Sequence, residues 1–206
     1  MKVSNASRVP IDLFVMSRCP DALDCENRMD EVLKAVGSIA TVHMHYIANV
    51  SDEPGVPPVC KHGPIECAGN VQQLCVQMHA PAALWPFVRC QDASPQDIGE
   101  PPLAKKCLDE VAALVSDKES YNCMSCFKDG EGASLLAASG RKTRDLGVRW
   151  SCTVWVAGSD KCADASGGPW RTCESGTSTE DYVATVCTRA AEASGGRWPA
   201  GCPPKP

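Results

Sequence analysis

Fourteen of the 206 residues are cysteine, and two of them, Cys19 and Cys25, stand where a sulfur can do chemistry as well as brace a fold. A short apolar run, residues 11–17 (IDLFVMS), leads to Cys19-Pro20, and a helix-like segment, residues 24–36 (DCENRMDEVLKAV), follows. Proline suits the first helical position, where its missing N–H costs nothing. A helix starting there aims its unpaired N–H groups and positive dipole end at the Cys19 sulfur, which favours thiolate over thiol and makes a nucleophile. These are the requirements of thiol-disulfide exchange, with Cys19 as attacking thiolate and Cys25 as the thiol that resolves the mixed disulfide. On this stretch alone, two structural half-cystines remain an equal reading.

The spacing constrains how the pair can meet. Two cysteines in C-x-x-C share the first turn of a helix, whereas six positions along a helix is about 9 Å of rise, too far for one disulfide. For Cys19 to reach Cys25, residues 20–24 (PDALD) must fold back before the helix begins, with Asp21 or Asp24 as its cap.

The elements that must position this pair follow in order. Leu13, Phe14 and Val15 suit a strand buried on both faces. Met29, Val32, Leu33 and Val36 recur at helical spacing up to Gly37, and 39–47 reads as a second strand, parallel to the first through the helix crossover. Proline-rich stretches, 51–58 and 94–102, bound an insertion with four cysteines. Residues 103–115 and 131–147 read as helices, 152–158 as an alternating strand, 170–173 as a second strand across a Gly/Ser-rich turn, and 180–193 as the last helix, capped by Ser178 or Thr179. Cys162 and Cys173 flank that turn, which predicts a disulfide across a hairpin. Cys202 is expected to tie back to Cys187. The expected fold is α/β and thioredoxin-like: a single domain over 1–206, its core at 10–50 and 148–195, with a cysteine-rich insertion and helices at 51–147.

Composition narrows the classes of function. An even, high cysteine count points to an oxidising compartment and several disulfides. The sequons at Asn5 and Asn49 fit passage through a secretory pathway. The first ten residues lack the apolar core of a signal peptide, and no run is long enough for a membrane span, so a mature chain is expected. A formal net charge of -5 leaves no basic footprint for nucleic acid or anionic membranes. His43 and His45 share a strand face and read as polar-face residues, with no metal expected. Cys123-x-x-Cys126 lacks both a second pair at zinc spacing and a preceding strand, so it reads as packing or structural disulfides.

Residues 60–75, CKHGPIECAGNVQQLC, carry the strongest signal. They resemble the signature of the gamma-interferon-inducible lysosomal thiol reductase family: Cys-Gln-His-Gly, two residues, Glu-Cys, two residues, Asn, four residues, Cys. Cys60, His62, Gly63, Glu66, Cys67, Asn70 and Cys75 match, and Lys61 replaces the glutamine. The CPDALDC pair, wider than the family's C-x-x-C, is similar to fungal members with a CPDAxxC pair. The resemblance implies a thioredoxin-like fold and reduction of protein disulfides in an acidic lysosome or vacuole, or after secretion. It implies disulfide-containing protein substrates, a small thiol reductant, no cofactor beyond the redox cysteines, and a monomer. Where thioredoxin-like enzymes carry a cis-proline, this chain has Ser151-Cys152-Thr153, so Cys152 and Thr153 are expected near the Cys19-Cys25 pair. A secreted, non-catalytic binding protein of the same fold is the alternative.

Overall fold

The computed structural model describes residues 8–53, 55–163 and 173–204. Four strands form one mixed sheet in the order β2-β1-β3-β4. β1 (Val9–Val15) pairs in parallel with β2 (Ala40–Tyr46), with Val9 opposite Ala40 and Val15 opposite Tyr46. β3 (Thr153–Val156) runs antiparallel to β1 on its other side, and β4 (Asp160–Ala163) antiparallel to β3. β1 is therefore flanked on both edges, and Ile11, Leu13, Phe14 and Val15 are buried. This is why its sequence reads as a mostly apolar run, broken by Asp12.

The crossover from β1 to β2 is α1 (Pro20–Val36), which presents Ala22, Cys25, Glu26, Met29, Val32 and Val36 to the interior at helical spacing. It begins at Pro20, not after a folded-back loop. Cys19 is its N-cap residue, with extended backbone at φ -81° and ψ 129°, and neither Asp21 nor Asp24 caps it. The chain takes this course because Pro20 is preset for a first helical position and Asp21 suits the positive end of the first turn.

Five helices follow β2: α2 (Pro64–His79), α3 (Leu84–Asp92), α4 (Pro101–Glu110), α5 (Asp117–Cys126) and α6 (Gly130–Asp145). α2 lies against α3, α5, α6 and β2, so this cysteine-rich stretch packs around one helix. The last helix, α7 (Thr179–Ala193), packs on α1 and begins in a reciprocal cap between Ser178 and Asp181.

The hairpin differs from the expected one. Its turn lies at Ala157 and Gly158, both at positive φ (52° and 70°), the conformation that tight hairpin turns with the right twist require. The Gly/Ser-rich segment instead falls beyond β4, and the expected strand at 170–173 lies outside the described residues except for Cys173. Cys162 and Cys173 are nonetheless joined, at a Cα separation of 4.6 Å. Cys187 is joined to Cys202 at 5.8 Å.

Candidate active site

Cys19 sits immediately beyond the carboxyl end of the central strand. Its amide donates to the Met16 carbonyl at 2.9 Å, and its own carbonyl receives the amides of Ala22 and Leu23 at 3.0 and 3.2 Å. The sulfur therefore stands at the start of α1, with Asp21 Oδ2 3.6 Å away as an acceptor. The residue is buried, with 6% of its surface exposed.

The expected bond between Cys19 and Cys25 is not formed. Cys25 is bonded to Cys152, with Cα atoms 6.2 Å apart, and Cys19 is free. The reason is the continuous helix: Cys25 lies a turn and a half beyond Cys19 and faces the sheet, where Cys152 precedes β3. Ala22, fully buried, occupies the place that the second cysteine of a C-x-x-C would take. Thr153 is also buried and donates from Oγ1 to the Trp150 carbonyl at 2.8 Å; the peptide bond Ser151–Cys152 is cis.

The 60–75 motif lies directly beneath the loop that delivers Cys19. Asn70, fully buried on α2, accepts the Ser17 amide at 3.0 Å on Oδ1 and donates to Cys60 Sγ at 3.6 Å. Ser17 Oγ donates to the Glu66 carbonyl at 3.3 Å. The buried Glu66 carboxylate receives the His62 amide at 3.1 Å and pairs with the His62 ring at Nδ1. Cys60 bonds to Cys67, closing the loop at the start of α2, and Gly63 takes the positive φ (88°) at that helix's N-cap. Cys75 bonds to Cys126 and Cys90 to Cys107, which ties α2 to α5 and α3 to α4. Asn70 and Glu66 thus hold Ser17 directly, and Cys60 and His62 in turn hold those two. Arg18 is fixed further by donating to the Gln96 and Ile98 carbonyls at 2.8 and 2.7 Å.

Cys123, the second free cysteine, is fully buried on α5, and its thiol is pushed up to about 11 by burial and by the nearby Glu119. It packs under the Cys75–Cys126 disulfide, consistent with a structural part for this C-x-x-C. His45 pairs through Nε2 with Asp12 at 2.7 Å, with Lys142 Nζ at 3.2 Å, while His43 is half exposed on the same face. Asn49 is exposed, its backbone bridged to Val59; Asn5 lies outside the described residues.

A buried acid pair escaped the sequence reading. Glu26 is buried beneath Cys19, with Oε1 unpartnered, and its carboxyl is raised well above the usual range by burial, then by the charge of Asp92 and a hydrogen bond to it. Asp92 on α3 is pushed up to about 6 by burial, against the pull of Arg89, whose Nη1 donates to it at 2.6 Å. The available signal was periodicity: Glu26 falls on the buried stripe of α1, between Ala22 and Met29.

Several solved structures share this architecture. A candidate protein disulfide isomerase from Nitrosomonas europaea superposes with a TM-score of 0.63 at 10% identity, covering 90% of this chain and 99% of its own. Reduced DsbA1 from Neisseria meningitidis gives 0.55 at 12% identity, covering 95% and 91%. The cytosolic disulfide reductase DsbM from Pseudomonas aeruginosa, solved with GSH, gives 0.55 at 13%, covering 87% and 98%. At these identities the likeness is one of fold, and the fold is thioredoxin-like. None of the curated proteins matches the chain. The family model for gamma interferon inducible lysosomal thiol reductase matches residues 10–111, from β1 through Cys19 and the whole 60–75 motif to the end of α4. By that match the chain belongs to the gamma interferon inducible lysosomal thiol reductase family, and it is a thiol-disulfide oxidoreductase.

Proposed function

We propose that the chain reduces protein disulfides, with Cys19 as the attacking sulfur and a small thiol from solution as the source of electrons. The observation that carries this is the pairing of the cysteines. Twelve of the fourteen are joined in six disulfides, and of the two that remain, only Cys19 stands at a helix start, just beyond the central strand. A free thiol attacks a disulfide and takes one of its sulfurs in a mixed disulfide. The family's description as a reductase, and the reductase solved with GSH among chains of this fold, support the reducing direction.

Density of disulfides and the family's lysosomal description favour an acidic vacuole or lysosome, or the exterior, as the site of action. No described helix is long and apolar enough to cross a membrane. A monomer acting without a further cofactor is the simplest form of the reaction, since sulfur chemistry alone completes it.

The test is reduction of insulin disulfides by the purified chain with excess small thiol at pH 4.5 to 7. Turnover that Cys19→Ser abolishes supports the assignment. A rate for Cys19→Ser equal to that of the parent chain overturns it.

A further inference from the structure

The mixed disulfide on Cys19 has to be released by some second thiol, and the fold supplies none within reach. Ala22 holds the place of a C-x-x-C partner. Cys25 is bonded to Cys152 and lies about 9 Å of helical rise from Cys19, whereas a disulfide needs Cα atoms within about 7 Å. Cys123 is buried under the Cys75 carbonyl on another helix.

A cleft of about 390 Å³ opens at the sheet edge formed by the carboxyl ends of β1 and β2; Met16, three residues before Cys19, lines it, and Cys19 itself lies outside the lining. That edge is where open α/β sheets bind ligands, and the volume suits a small peptidic molecule. Met16, Ala48, Val59 and Val148 form apolar walls, and Lys61 and Arg149 stand exposed on the rim. Neither cation has an acidic or hydrogen-bonding partner among the described residues. Arg144, also on the rim, is already held by Asp52 at 2.8 Å and Asp145 at 3.2 Å. The rim is therefore locally positive in a chain of formal net charge -5.

Both walls are tied to the residues that deliver Cys19. Met16 accepts the Cys19 amide, and its own amide donates to Ser151 Oγ at 3.1 Å, two residues from Arg149. Ser17 is held by Asn70, which also holds Cys60, the neighbour of Lys61. The cleft is thus linked through Met16, and through the neighbours of both cations, to the loop that carries Cys19.

We infer that this cleft binds a small thiol bearing carboxylates, anchored by Lys61 and Arg149, and that such a thiol, not Cys25, releases the mixed disulfide from Cys19. The inference rests on the assignment of Cys19 as attacking sulfur. The Cys19 thiolate attacks a substrate disulfide, forming a bond to one substrate sulfur and expelling the other as a thiolate. The bound thiolate attacks Cys19 Sγ and expels the remaining substrate sulfur. A second molecule of the same thiol attacks the first one's sulfur, which leaves a small-molecule disulfide and regenerates the Cys19 thiolate. Two external thiols are oxidised, one substrate disulfide is reduced, and the two protons pass to the substrate sulfurs.

The test compares glutathione, which carries two carboxylates, with cysteamine, a cationic thiol, as reductants of insulin by the full chain. The expected result for the double variant Lys61→Glu with Arg149→Glu is a fall of about tenfold in the ratio of kcat/KM for glutathione to that for cysteamine, the scale of two exposed charge pairs reversed. An unchanged ratio overturns the inference. In a second arm, Cys25→Ala with Cys152→Ala should continue through many turnovers on glutathione. Arrest after one turnover with the mixed disulfide on Cys19 overturns the inference, because it makes Cys25 the resolving thiol. Absence of any mixed disulfide on Cys19 of the parent chain, read by mass after acid quench, removes the underlying assignment instead.

Discussion

Cys25 is joined to Cys152, 127 residues away in the chain, and not to Cys19 six positions before it. The bond fastens the middle of α1 to the entry of β3 and leaves the N-cap sulfur alone at the sheet edge. The bonded sulfur and the free thiol are thus separate, although both lie in one seven-residue stretch. Peptide mapping of the unreduced chain should recover the Cys25–Cys152 linkage. Its removal by Cys25→Ala with Cys152→Ala should cost about 3–5 kcal/mol in urea denaturation, since it closes a long loop.

The two free thiols should differ sharply. Iodoacetamide at pH 7.5 should label Cys19 in the folded chain, while Cys123, fully buried with its thiol pushed up to about 11, should react at least about 100-fold slower than a model thiol. Mass-mapped time courses read both sites at once, and comparable rates would show that α5 opens readily.

Ala22→Cys should convert the site to a dithiol. The new sulfur would lie in the first turn with Cys19, so the mixed disulfide should be released internally and its lifetime should cease to depend on external thiol concentration. Because Ala22 is fully buried, the added sulfur should also cost about 1–3 kcal/mol through overpacking. Stopped-flow release of a chromogenic leaving thiol separates the two effects.

Asn70→Ala should loosen the loop that presents Cys19. It strands the buried Ser17 amide that Asn70 now satisfies at 3.0 Å, a loss of about 1–3 kcal/mol in stability. The same change should lower kcat/KM for insulin reduction by about tenfold, as misplacement of a reacting group does. Full activity in a destabilised chain would mean that the loop is held by its other contacts.

Stability should rise toward acid pH. Glu26 and Asp92 are raised above their ordinary values in the folded chain, by burial first. The folded state therefore binds more protons than the unfolded one from about pH 4 upward. Stability lost through these groups accrues as pH climbs past the unfolded carboxyl value and through about 6, where Asp92 titrates. Asp12 works oppositely: burial would raise it, but the hydrogen bond and charge of His45, with Lys142 and His43, hold it below the usual value. Its contribution is present above about pH 4 and fades only below. Between pH 5 and 7.5 the acid pair should dominate. Glu26→Gln should then stabilise the chain by on the order of 1 kcal/mol at pH 7.5 and by little near pH 4.5, as read from thermal midpoints. An equal gain at both pH values would place its origin elsewhere than in the proton.

What the amino-acid sequence determined by itself was everything set by short-range pattern. The mostly apolar run around Leu13, Phe14 and Val15 specified a strand buried on both faces. Apolar residues at helical spacing specified α1 and α4, cap and stop residues specified α7, and the seven matched positions between Cys60 and Cys75 specified the family. These signals are local, because helix period, strand burial and motif spacing are carried by neighbours in the chain. The tertiary structure alone decided which sulfurs meet. A disulfide requires two Cα atoms within a few ångströms, and that proximity comes from packing: α1 lays Cys25 against the start of β3, so Cys152 reaches it first. The same holds for Glu26 against Asp92, for Asn70 beneath Ser17, and for Lys61 and Arg149 across one cleft. Each of these pairs is brought together by the burial of apolar faces that do not include the pair itself, so no spacing along the chain records it.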